Sequence, residues 1–338
     1  MRGKGKNAID MTGGSLWKNI LVFSLPLMMT QMLEVLFNLS DVAIAGKYAD
    51  YIALGAVGST ALLVSLFTGI LIGMGAGVNV RTAHQLGAEK TSGSSETVAR
   101  TVYSGFIVCL IIGIILCLVC NIFARPMLET LKTKDELIES AVLYLKIYAL
   151  GMPAMAVYNF GNGVLSACGE TKKPLVYLSI AGVLNVILNI FFVVVCKKAA
   201  DGVAIASVIA QYLSASMIMC HLLRRKDSCK LRLSNKYFDT SACGGVLMIG
   251  IPTGMQNAIF AVANLFVQTG VNHFDAVMVS GNSAAQNADT LIFNVMAAIY
   301  TACASFISRN HGEGKNDRIL KSYFISLFYS CLLYTSPS

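Results

Sequence analysis

Apolar residues in this 338-residue chain come in blocks long enough to cross a bilayer, and that feature excludes most folds. In lipid, every backbone N–H and C=O has to be satisfied inside the chain, so blocks of this kind must become helices or barrel strands. Their length and unbroken apolar character select helices. The spans read 18–45, 53–80, 99–124, 137–160, 174–196, 202–223, 242–271, 279–308 and 319–334. Charged residues make up 13% of the chain and the mean hydropathy is +0.65, which rules out an ordinary soluble domain. The expected class is an all-α polytopic membrane protein with about nine helices present.

The first span carries an unusual polar face. Gln31, Glu34, Asn38 and Asp41 fall at intervals of three, four and three, which places all four on one side of a helix whose other residues are Leu, Met, Val and Phe. Carboxylates inside a lipid-spanning helix are costly and usually face an interior cavity. The alternative is that they snorkel or cap a helix end, more plausible for Asp41 near the outer end than for Glu34. Pro26 in the same span removes a backbone donor, and a bend is expected there. In span 2, Gly69, Gly73 and Gly77 form a stripe suited to close helix approach. His84, just beyond, reads as a solvated loop residue. Asn185 and Asn189 lie four apart on one face of span 5, and 202–207 opens span 6 with small residues.

Charge placement orients the chain. If the N-terminus is cytoplasmic, 19 of the 26 Lys/Arg fall in inner segments, 6 in outer ones, and Lys146 sits within a span. That bias on short loops is the positive-inside pattern. It also explains the net charge of +8 without nucleic acid. The basic stretch from Arg224 to Arg232 then becomes a cytoplasmic connector beside anionic lipid headgroups. The ten cysteines are scattered. Cys117 and Cys120 form a C-x-x-C inside an apolar helix with no second pair, so packing is the simpler account than metal or redox use.

The chain repeats itself after the connector. Pro26 matches Pro252 at an offset of 226, Gln31 falls on Asn257 and Asn38 on Asn264. Glu34 and Asp41 fall on Phe260 and Val267, so the second copy lacks both acids. Gly87–Lys90 pairs with Gly312–Lys315. Six spans separate the copies, so both keep one orientation, as in two-lobed transporters built from parallel repeats. The expected domains are a six-helix lobe over 1–223, a connector over 224–241 and a partial second lobe over 242–338. A repeat of six spans would continue for about 100 further residues. Span 8 brings its own intramembrane acid, Asp289.

Several motifs resemble the multidrug and toxic compound extrusion (MATE) family: Ser24-Leu-Pro26, Asp41-Val-Ala-Ile-Ala-Gly46, Ser166-Ala-Cys-Gly-Glu-Thr-Lys-Lys-Pro174, Leu184-Asn-Val-Ile-Leu-Asn189, Gly202-Val-Ala-Ile-Ala-Ser207 and Gly250-Ile-Pro252. Each is modest alone, and together they span nearly the whole chain in order. The resemblance implies two six-helix lobes around a central cavity and export of organic, often cationic, compounds in exchange for Na⁺ or H⁺. Asp41 matches the family's first-helix acid, implicated in cation coupling. Asn189 stands where many relatives carry Asp.

These readings converge on a secondary antiporter in the inner membrane, multi-pass and monomeric, with small organic substrates and the bilayer as its partners. It would need no cofactor beyond the coupling ion and no enzymatic chemistry. Asp41, Glu34, Asn38 and Asn189 are the expected cation-coupling residues, with Asp41 the candidate Na⁺ ligand. Gln31, Asn185, Asn257, Asn264 and Asp289 are the expected cavity residues. A flippase for lipid-linked sugars would need a basic cavity, whereas the buried charges here are mostly acidic. A non-transporting receptor or scaffold would need no acids on a cavity face.

Overall fold

A computed structural model describes residues 8–271 and 276–335, and in the last three helices leaves the side chains of 265, 268–269, 276–277, 279–291 and 333–334 undescribed. Among the described residues there are ten α-helices and no strand. They are α1 (Leu16–Tyr48), α2 (Tyr51–Ser92), α3 (Ser95–Thr130), α4 (Asp135–Ala149), α5 (Met152–Ala167), α6 (Lys172–Ile190), α7 (Ala200–Arg224), α8 (Thr240–Val271), α9 (Ala276–Gly312) and α10 (Asn316–Tyr334). Seven are long and apolar enough to cross a membrane, and α4 with α5 makes an eighth span bent by 44°. The chain is an all-helical polytopic protein.

Local chemistry explains where the helices start and stop. α1 is a single helix that carries Pro26 in its interior. The Ser24 hydroxyl donates back to Ile20 O at 2.8 Å and the Thr30 hydroxyl to Pro26 O at 2.8 Å, the local back-bonding that serine and threonine make inside helices. The span over 137–160, expected to be continuous, breaks at Leu150 and Gly151. Pro153 sits in the first turn of α5, where its missing N–H is not needed. α6 ends in a π-helical turn, Phe191–Val195. α2 is capped at its start by Asp50, whose side chain accepts from Ala53 N at 2.7 Å. It ends only at Gly93, which adopts φ +72.

That long α2 corrects one expectation. His84 is a half-buried helical residue, with its ring centroid 5.2 Å from that of His311 on α9. No helix breaker separates the apolar part of α2 from its polar last turns, so the helix simply continues.

α2 is the spine against which both halves of the chain pack. Gly73 and Gly77 lie directly on the α8 backbone at Gly250 and Gly254, and a Cβ on either would collide with it. Gly87 meets Gly312 of α9 in the same way. α1 packs on α9 through Phe23 and Phe306, in an edge-to-face contact at 5.5 Å.

Residues 8–15 thread through the end of the bundle where α1 begins. Ile9 N donates to Gly169 O at 3.1 Å, Asn310 Nδ2 to Met11 O at 3.1 Å and Lys315 Nζ to Thr12 O at 2.9 Å. Lys90 reaches the Thr12 hydroxyl, and Arg318 reaches the carbonyls of Gly13 and Gly14. The segment therefore ties α2, α9, α10 and the α5–α6 turn together at this end.

Candidate functional site

The C-terminal half of α1 brings Asp41 against α6 and α7, where four polar side chains close a ring. Asn189 Nδ2 donates to Asp41 Oδ1 at 2.5 Å and to Asn185 Oδ1 at 3.2 Å. Asn185 Nδ2 donates to Ser207 Oγ at 3.2 Å, and the Ser207 hydroxyl donates to Asp41 Oδ2 at 3.0 Å. All four are buried, Asn189 completely. The i, i+4 spacing of Asn185 and Asn189 puts both amides on the α6 face toward α1, and the small residues opening α7 let Ser207 come close.

The ring satisfies the carboxylate on both oxygens, while the buried Asn189 Oδ1 keeps no hydrogen-bond partner. A buried carboxylate beside amide and hydroxyl oxygens is a donor set for a hard cation or a proton, since oxygen ligands suit Na⁺-like ions. Tyr144 and Tyr148, stacked at 5.9 Å, lie within electrostatic range of Asp41. They form part of the core that seals the ring from α4.

Of the expected coupling residues, the structure joins Asp41 to Asn189 and adds Asn185. Glu34 is half-buried on α1, two turns from Asp41, in electrostatic range of Tyr158 and Tyr148. Asn38 is exposed and Gln31 half-buried. On α8, Asn264 is exposed, while Asn257 donates to Gly69 O at 3.2 Å and so fastens α8 to α2. The Asp289 side chain lies outside the described residues. The Ser207 contact with Asp41 was missed, because a serine among small residues reads as a packing position. Its signal was the ordered motif it closes.

The profile of the MatE family matches residues 26–191 and 252–335, and so takes in most of α1, all of α2 to α6, most of α8, and α9 and α10. Among curated proteins, the chain is 27% identical over 314 residues to a probable multidrug resistance protein, YpnP, of Bacillus subtilis, covering 92% of this chain and 69% of that one. It is 23% identical to a probable multidrug resistance protein, NorM, of Thermotoga maritima, covering 92% and 68%. It is 23% identical to an FAD transporter of Shewanella oneidensis, covering 94% and 70%. Among solved structures, a MOP superfamily transporter from Pyrococcus furiosus superposes with a TM-score of 0.88 at 19% identity, over 98% of this chain and 73% of that one. An outward-facing multidrug resistance MATE transporter gives 0.87 at 20%, also over 98% and 73%.

Proposed function

Because the chain belongs to the MatE family of multidrug efflux transporters, we propose that it exports organic cations in exchange for Na⁺ or H⁺, with Asp41 as the coupling group. The observation that carries this reading is the closed ring of Asp41, Asn189, Asn185 and Ser207, buried and keeping one unpartnered amide oxygen. Substrate and coupling ion compete for one negative charge, which is the minimal requirement for exchange. Glu34, nearer the middle of α1, extends the acidic face toward the substrate path, with Gln31 and Asn38 beside it. In this reading 1–223 is a six-helix lobe and 242–338 part of a second, parallel one, joined by the 224–241 connector, the N-terminus is cytoplasmic and the protein works as a monomer in the inner membrane.

Efflux of a fluorescent cationic dye from proteoliposomes, driven by an imposed Na⁺ or H⁺ gradient, tests the reading. Asp41→Asn should abolish gradient-driven efflux while leaving the protein folded. If Asp41→Asn exports like the parent and Glu34→Gln does not, Glu34 is the coupling residue. If the double change also exports normally, the ring is structural and the proposal falls.

A further inference from the structure

At the end of the bundle that holds residues 8–15, a second polar assembly joins the α5–α6 turn to the connector. Buried Glu170 receives Arg225 Nη2 at 3.2 Å and Lys173 Nζ at 2.6 Å, and Arg225 also pairs with Asp227. Burial pushes the Glu170 carboxyl up, but the Lys173 hydrogen bond and the Arg225 charge together hold it below its ordinary value. The ion pairs clamp the two segments, and Leu231 N closes the connector back on Leu222 O at 3.2 Å. Gly169, at φ +84, turns the chain sharply between Cys168 and Glu170. The outcome is that Cys168 Sγ and Cys229 Sγ, 61 residues apart, face each other at 2.6 Å. Neither belongs to the MATE-like ring, which lies at the other end of the helices.

We propose that Cys168 and Cys229 are a peroxide-oxidisable dithiol, a modification site that closes reversibly to a disulfide and staples the connector to the α5–α6 turn. Two further features fit such a site. Cys168 lines a cavity of about 70 Å³ together with Lys90, Arg309 and Asp10, large enough for a small hydroperoxide. Arg309, which lines the same cavity, carries guanidinium donors of the kind that suit a peroxide oxygen.

The order of events follows from access. Cys229 is 1% exposed, whereas Cys168 opens on the cavity. Cys168, as thiolate, attacks one peroxide oxygen. The O–O bond breaks, an S–O bond forms, and the alkoxide or hydroxide that leaves takes the proton Cys168 released. The Cys229 thiol then attacks the sulfenic sulfur. The S–S bond forms, the S–O bond breaks, and the departing hydroxide carries off the Cys229 proton as water. The two sulfurs lose two electrons and the peroxide gains them. A dithiol reductant reverses the product. Thiol pairs in reducing compartments are commonly of this transient kind.

The test uses the full chain in membranes, titrated with hydrogen peroxide, quenched, then denatured and alkylated with a maleimide-linked polymer that adds a countable mass per thiol. The expected result is loss of two reactive thiols from the protein's ten, recovered by dithiothreitol, with peptide mapping linking residues 168 and 229. Cys168→Ser should leave the Cys229 thiol open to alkylation after the same treatment. Full alkylation of both residues at peroxide levels that oxidise a control dithiol overturns the proposal. So does a linkage mapped to Cys117 and Cys120 instead, or protection of Cys229 that persists in Cys168→Ser. The parent protein alone decides the first two outcomes, so the proposal stays testable even where the serine variant fails to fold.

Discussion

Asn79 on α2 donates from Nδ2 to the Ser305 hydroxyl on α9 at 2.8 Å, and that hydroxyl lies 3.1 Å from Asn79 Oδ1. Both residues are buried, and they are 226 positions apart, the offset that aligns Pro26 with Pro252. A residue that touches its own repeat partner lies on the axis relating the copies. His84 against His311 and Gly87 against Gly312 continue the line, at offsets within one residue of that value. α2 and α9 thus meet at matching positions of the sequence repeat.

A double-mutant cycle on this pair should give a positive coupling. Asn79→Ala and Ser305→Ala each strand a buried polar group, although the Ser305 hydroxyl retains the Thr301 carbonyl at 2.8 Å. Hydrogen bonds between membrane helices average about 0.6 kcal/mol. The two single changes should lower the melting temperature of purified protein, and the double change by less than their sum. Strict additivity would show that the pair contributes nothing.

The glycine contacts predict a sharper effect. A Cβ at Gly73 would run into the backbone of Gly254, which has no flexible end to move aside. Gly73→Val should cost about 1–3 kcal/mol through overpacking and lower the yield of monodisperse protein. Gly58→Ala is the control, because nothing lies within 4 Å of a Cβ there. Equal yields from the two variants would remove the close α2–α8 approach from the account.

How much of this was readable beforehand depends on range. Span positions and the α1 acid follow from local composition, and Asp41 could be singled out because a carboxylate in lipid needs a reason. Ser207 could not, since its role exists only once α6 and α7 bring it to Asp41 from 166 positions away. Asn257 illustrates the reverse. Its amide suggested a cavity, but its donor is used on Gly69 O in helix packing. His84 was misplaced because polar composition was taken as the end of a helix, when only Gly93 ends it.

The closure around residues 8–15 should weaken at low pH. Burial pushes the Glu313 carboxyl up, but hydrogen bonds from Lys315, Lys90 and Thr12 outweigh it and hold the group at about 2, against an ordinary 4.5. A depressed carboxyl contributes its stability in full above its unfolded value and loses it as pH falls through the folded one. The contribution should therefore be flat above about pH 5 and decline between about pH 4.5 and pH 2. Glu313→Gln should remove that decline and speed hydrogen exchange at residues 9–14 at neutral pH. Unchanged exchange would mean that the Asn310 and Arg318 contacts hold the segment without Glu313.

Asn189→Asp tests the ring most directly. In the parent, the Asn189 amide donates to both Asp41 Oδ1 and Asn185 Oδ1, so the carboxylate is satisfied without any added cation. An aspartate at 189 removes both donors and sets a second carboxyl against the first. Two carboxyls at hydrogen-bond distance do not both carry charge unless a proton or a metal cation sits between them. The variant should consequently bind one more proton or Na⁺ per molecule than the parent. Thermal melts in a graded Na⁺ series, at fixed ionic strength with choline as the replacement, read this as linkage. The variant's melting temperature should rise with Na⁺, or with falling pH, more steeply than the parent's. Ser207→Ala in the same background should blunt that rise, since Ser207 Oγ is the remaining neutral oxygen on Asp41 Oδ2. A variant whose melting temperature follows the parent's at every Na⁺ concentration and pH would mean that position 189 does not share its charge with Asp41, and the ring would lose its claim to be the cation site.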